Sequence, residues 1–179
     1  ASAMGESYPG AGVTIGPAGN CMTGNSTTLG AGMQSASFTA RHTVTSPVTP
    51  YQLTATVSGF STATPATFNV TPGTATLQVD NPLNGMTTMT AGNCQNVTLT
   101  RRDNFGNNAP TSGNNNITLT LPTGMWEVFP GQNCMAPMGT PTMNSTHTTA
   151  FSMRPRTSGS HMVTATVAGT SANIAFSVN

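Results

Sequence analysis

Three cysteines, three histidines and four carboxylates are the side chains of this 179-residue chain that could carry chemistry. Asp103 with Asn104, Asn107 and Asn108 gathers oxygen ligands in the manner of a calcium loop, but such loops recruit more than one carboxylate. Only Glu6, Asp80 and Glu127 are acidic besides. An Asx-stabilised hairpin turn fits a lone aspartate among asparagines better. His42, His147 and His161 stand in Thr-rich surroundings near expected strand ends, and none is spaced to meet a carboxylate as acid or base. No nucleophile motif and no Gly-rich phosphate loop occurs. Cys21, Cys94 and Cys134 lack the close spacing of a metal site. No catalytic residue, metal or cofactor is expected.

Two groups of apolar residues remain. Trp126, the single tryptophan, could stack on sugar rings together with Tyr8 and Tyr51, although sandwich cores commonly bury one tryptophan. Met125, Met135, Met138 and Met143 surround Cys134 and, with Trp126, are candidates for an apolar contact surface. The plainer alternative is that methionine fills gaps in an irregular core.

The composition narrows the setting for these residues. Charged residues make up 5% of the chain, the net charge is +1 and lysine is absent. No basic field exists to attract nucleic acid or an anionic membrane. No run approaches the roughly 18 apolar residues that span a bilayer, so membrane insertion is not expected. No charged-then-apolar leader opens the chain, so any signal segment has been removed or lies outside this numbering. Thr, Ser, Asn and Gly must form the wet surface, which suits an extracellular protein.

The elements that would position these side chains are strands. Alternating runs occur at 76–80, 96–101, 116–121, 148–153, 161–167 and 172–178. Within them Leu77 and Val79 share a face, as do Val97 and Leu99, and Ile117, Leu119 and Leu121. Phe151 with Met153, Val163 with Ala165 and Val167, and Ile174 with Phe176 and Val178 complete the inward set. Turn signals separate the runs at Asn84-Gly85, Asn104-Phe105-Gly106-Asn107, Ser112-Gly113, Thr123-Gly124 and Ser158-Gly159. No stretch has helical periodicity. The pattern is that of an all-β sandwich.

The chain also repeats itself. Asn20-Cys21-Met22 recurs as Asn133-Cys134-Met135, and Phe38 and Arg41 recur as Phe151 and Arg154 at the same spacing. Thr54-Ala55-Thr56-Val57-Ser58-Gly59 recurs as Thr164-Ala165-Thr166-Val167-Ala168-Gly169, and Phe68-Asn69-Val70 as Phe176-Ser177-Val178. The offset slips from 113 to 110 to 108, as small loop deletions would produce. Two copies of one unit are expected: an incomplete domain at 1–73 and a complete one at 74–179. Counterparts of the 76–80 and 96–101 strands are missing from the first copy. Half a sandwich cannot bury its core. The chain is then a piece of a longer repeat protein, or strands of another chain complete it, or the Gly-rich segment 1–19 folds back as a substitute strand.

The repeat accounts for the odd cysteine. Cys94 and Cys134 both fall in the second copy and are expected to form a disulfide. Cys94 has the opposite parity to Val97 and Leu99, so the bridge should staple the end of the sandwich. Such a bridge implies a periplasmic or extracellular setting. Cys21 matches Cys134 in the repeat, so its partner would lie in the missing opening half. Until then it is unpaired or interchain.

Thr90-Ala91-Gly92-Asn93-Cys94 and then Val97-Thr98-Leu99-Thr100-Arg101-Arg102-Asp103-Asn104-Phe105-Gly106-Asn107 resembles the bacterial immunoglobulin-like repeats of invasin- and adhesin-type surface proteins. Phe68-Asn69-Val70-Thr71-Pro72-Gly73 looks like the junction between two such repeats. The resemblance implies tandem immunoglobulin-like β-sandwiches, the first lacking its opening strands. It further implies a non-enzymatic stalk, spacer or fibre subunit, secreted to the cell surface. Its partners would be copies of itself or the rest of a longer repeat protein. A carbohydrate- or receptor-binding module, with surface glycans as ligands, is the alternative.

Overall fold

Thr alternating with Val, Leu, Ile and Phe produces strands throughout, because β-branched and aromatic side chains pack well on a pleated surface that is wet on one side. The computed structural model describes residues 2–6, 13–17, 38–45, 50–57, 64, 66–82 and 85–179. Among them lie strands β1 (Ser2–Glu6), β2 (Val13–Pro17), β3 (Phe38–His42), β4 (Tyr51–Val57) and β5 (Ala66–Phe68). There follow β6 (Ala75–Asn81), β7 (Met86–Met89), β8 (Gln95–Asp103), β9 (Asn114–Asn116), β10 (Thr118–Thr120), β11 (Trp126–Phe129), β12 (Thr142–Asn144), β13 (Thr148–Pro155), β14 (Gly159–Val167) and β15 (Thr170–Val178). The chain divides into two units, Ala1–Pro72 and Gly73–Asn179.

The second unit is an immunoglobulin-like sandwich. One sheet has the order β11-β13-β8-β6 and the other β10-β14-β15-β7. In immunoglobulin lettering these are D-E-B-A and C-F-G-A′. All neighbours are antiparallel except β15 and β7, which run parallel with Phe176 opposite Thr87. The chain crosses between sheets after β6, and Gly85 permits the crossing. Its φ is +66°, and a Cβ there would come within 2.7 Å of the Asn173 carbonyl oxygen.

The core contains most of the inward set read from the alternation: Leu77, Val97, Leu99, Ile117, Phe151, Met153, Val163, Ala165, Val167, Ile174, Phe176 and Val178, with Val79, Leu119 and Leu121 packed against it but only partly buried. Three strands escape the alternation signal. β7, β11 and β12 are three or four residues long, too short to show a period. The expected run at 116–121 is interrupted as well. Ile117 leaves the ladder between β9 and β10, and its N–H donates to the Pro141 carbonyl at 2.8 Å. Ile117 still faces the core.

The first unit repeats half of this plan. β2 pairs β3 with Val13 opposite His42 and Thr14 opposite Arg41, as β11 pairs β13 with Trp126 opposite Pro155 and Glu127 opposite Arg154. β4 pairs β5 with Tyr51 opposite Phe68, as β14 pairs β15 with His161 opposite Phe176. β1 lies against the other side of β4, as β10 lies against β14. The five strands are therefore C, D, E, F and G. Among the described residues no strand stands in the A, A′ or B position. One of the three alternatives for the first unit is answered here. The segment 1–19 does not substitute for an opening strand; its two strands take the C and D places, because their registers onto β4 and β3 are those of β10 and β11.

Candidate functional site

The feature of the first unit that could engage a partner is a pair of strand edges. β3 has a hydrogen-bonded neighbour, β2, on one side, and β5 has β4 on one side. In the second unit the opposite edges are filled: β13 by β8, with Phe151 facing Val97, and β15 by β7. Among the described residues nothing fills those places in the first unit. The two edges belong to different sheets, β2-β3 and β1-β4-β5. An open edge presents backbone N–H and C=O groups that pair with any strand of suitable register.

An aromatic cluster ties those sheets together. The His42 ring, on β3, stacks on Tyr51 of β4 at 4.0 Å between centroids, and Phe68 of β5 lies 5.8 Å from Tyr51. The Tyr51 hydroxyl donates to the Thr45 carbonyl at 2.9 Å, and the residue is buried. The second unit builds the same corner from other residues: Trp126 lies 4.5 Å from Phe176 and edge-on to His161. Trp126 is half-buried, and its indole N–H has no acceptor among the described residues. Tyr51 is thus committed to packing, while Trp126 packs on Phe176 with part of its ring still exposed. Tyr8 lies outside the described residues.

Cys94 and Cys134 are joined by a disulfide with 6.0 Å between their Cα atoms. The Cys134 loop is secured from both flanking strands. Cys134 N–H donates to the Ser152 hydroxyl at 2.8 Å, and that hydroxyl donates to the Gly131 carbonyl at 2.6 Å. Asn133 and Asn96 exchange two bonds, 2.7 and 2.8 Å. These contacts hold Asn133 and Cys134 at φ of 60° and 52°, in the left-handed region that a β-carbon resists. Cys21 lies outside the described residues.

The methionines around this loop part company. Met135 and Met138 are 85% and 64% exposed, and Met125 is 37% exposed. Met143 is wholly buried, which removes it from the expected contact surface. The reason is pairing: β12 lies against β9 with Met143 opposite Asn115, and the Met143 carbonyl accepts the buried Thr111 hydroxyl at 3.1 Å. A second exposed apolar row was not anticipated. Met162 on β14 faces Ala175 on β15, and Ala175 faces Met86 on β7, along an open groove on the outer face of that sheet. The parity of Met162, between inward His161 and Val163, carried the signal.

The titratable groups have structural work. Asp103 Oδ1 accepts the Phe105 and Asn107 N–H groups, both at 2.9 Å. Its Oδ2 accepts the Asn107 amide at 2.9 Å and the Gly73 N–H at 3.0 Å. The Asn107 side chain foremost, then these backbone donors, hold the Asp103 carboxyl down at about 2. The cluster is an Asx-stabilised turn that also fastens the start of the second unit. Glu127 bonds Arg156 and Arg154, both at 2.5 Å, and these guanidiniums hold its carboxyl below the ordinary range. Asp80 accepts the Thr100 hydroxyl. Among the described residues no group of three or more His, Cys, Asp or Glu could hold a metal, and no helix is long and apolar enough to cross a membrane.

No protein-family model matches the chain, and neither does any curated protein. Among solved structures it is similar to domains 4 and 5 of the S-layer protein SbsC, at 15% identity and TM-score 0.45, over 72% of this chain and 65% of that one. It is also similar to the D00-D0 domain of intimin, at 13% identity and TM-score 0.44, over 92% and 75%. A beta-glycosidase from Bacteroides vulgatus is similar at 12% identity and TM-score 0.42, over 93% of this chain and 21% of the enzyme. The chain thus spans less than two-thirds of the SbsC fragment and about a fifth of the glycosidase.

Proposed function

We propose that this chain is a non-enzymatic, extracellular structural module of a bacterial surface fibre, filament or adhesin stalk, built from immunoglobulin-like repeats. The observation that carries the reading is the register shared by the two units, with the A′ and B edges of the first left unpaired among the described residues. Edges of that kind join neighbours by strand addition. Three further features support it. The Cys94–Cys134 disulfide belongs to an oxidising compartment. The surface carries few charges. Asp80, Asp103 and Glu127 are bound to hydrogen-bond donors within the fold.

The carbohydrate-binding alternative rests on Trp126, Tyr8 and Tyr51, and the burial of Tyr51 counts against it. Electron microscopy of material sheared from intact cells, combined with antibody labelling of unpermeabilised cells, tests the proposal. Surface label on filaments, sheets or stalks is the expected result. Label found only after permeabilisation, or on discrete particles that a glycan array retains, would overturn it.

A further inference from the structure

The second unit sorts its methionines by depth. Met143 and Met153 have no exposed surface and belong to the core. Met86, Met135, Met138 and Met162 are each more than half exposed. Two of these four form a pair. β14, β15 and β7 are adjacent strands of one sheet, and their register sets Met162, Ala175 and Met86 in a single row across it. The row lies on the outer face, because Val163, Ile174 and Phe176, the neighbours along those strands, point into the core. It lines an open groove whose other walls include the hydroxyl side chains Thr88, Ser160 and Ser177. With only the methyl of Ala175 between them, the Met86 and Met162 side chains remain 69% and 57% exposed.

A thioether is a soft nucleophile that needs no deprotonation, and two-electron oxidants convert it to a sulfoxide. The side chain that reacts ahead of it is a thiolate, and both cysteines of the second unit are joined in a disulfide. Exposure then decides which sulfurs react. At Met86, Met135, Met138 and Met162 a sulfoxide oxygen is hydrated where the sulfur was already wet, so no core contact is lost. At Met143 or Met153 the same oxygen would sit among the apolar side chains of the core, at the cost of a buried polar group. Oxidant reaches those two only when the sandwich opens.

We infer that Met86, Met135, Met138 and Met162 are oxidation sites for a hydroperoxide, and that their conversion turns the Met162–Ala175–Met86 row from apolar to polar while the fold stands. In the reaction a sulfur lone pair forms the S–O bond as the peroxide O–O bond breaks. The departing hydroxide takes the remaining hydroxyl proton and leaves as water. The sulfur loses two electrons and the peroxide gains them. Nothing in this chemistry requires the assembly proposed above.

The full chain is treated with hydrogen peroxide at neutral pH and sampled over time. Peptide mass mapping reads each methionine, and N-acetylmethionine amide in the same tube sets the reference rate. The four exposed sites are expected to react within about fivefold of the reference, and Met143 and Met153 at least about a hundredfold more slowly. Urea unfolding of the oxidised chain, followed by Trp126 fluorescence, should keep its midpoint to within about 0.3 M. Retention on a hydrophobic-interaction column should fall on oxidation. In the Met86→Leu, Met162→Leu double variant, whose row stays apolar but cannot be oxidised, that fall should be smaller by about a third or more. Equal rates at exposed and buried methionines, or exposed sites as slow as Met143, would overturn the assignment of sites. A lower urea midpoint after oxidation of the four would show that the fold does not stand. An undiminished retention change in the double variant would overturn the role of the row.

Discussion

Met135, Met138 and Met143 lie within nine residues of one another in a loop-rich stretch, and their burial separates them sharply. Met143→Ala removes a side chain with no exposed surface from the cluster of Val97, Leu99, Ile117 and Phe151. Large-to-small changes at such sites cost about 2–5 kcal/mol, the transfer energy of the lost atoms plus the cavity left behind. For a domain of about 100 residues that lowers the melting temperature by roughly 8–20 °C. Met135→Ala and Met138→Ala, at 85% and 64% exposure, leave little cavity and should stay within about 0.5 kcal/mol of the parent. Urea unfolding followed by tryptophan fluorescence suits the comparison. Trp126 is the only tryptophan and packs on Phe176, so the signal reports the second unit alone. A Met143→Ala midpoint indistinguishable from the parent, or a Met135→Ala loss above about 1 kcal/mol, would refute the burial argument.

Replacing Cys94 and Cys134 by serine removes a crosslink between residues 40 apart. The chain-entropy model gives about 4 kcal/mol for a loop of that length. Crosslinks commonly deliver less than that model gives, so a loss of about 2–4 kcal/mol is expected by urea titration. Intact mass after alkylation in denaturant without reductant checks the bridge directly: label on either residue would contradict it. Asp103→Asn should lower the melting temperature at pH 6, because the Asp103 carboxylate is held by four donors. The folded carboxyl titrates at about 2, below its ordinary value near 4, so its contribution is present above about pH 4 and is lost as pH falls through about 2. The difference between parent and variant, read by calorimetry, should therefore shrink toward pH 2. An unchanged difference at both pH values would show that Asp103 acts through shape alone.

Much of the fold was legible because it rests on local rules. A period of two over five or more residues gave Leu77, Val97, Leu99, Phe151, Val163 and Ile174 their inward faces. The Asp103 turn was legible for a similar reason, since its donors are Phe105 and Asn107, two and four residues away. β7, β11 and β12 were not legible, since three or four residues show no period and their partners lie far along the chain.

The amino-acid sequence by itself determined the β class, the inward faces of the longer strands and the internal repeat, because alternation and repetition are written in adjacent residues. Only the tertiary structure decided that Met143 is core while Met135 is surface, since β12 lies on β9 and Met135 follows the Gln132–Cys134 turn on the solvent side. It also decided that β1 and β2 take the C and D places. Register between distant strands is set by which pairing buries the apolar face of both. That is a property of the assembled sheets, not of any one run of residues.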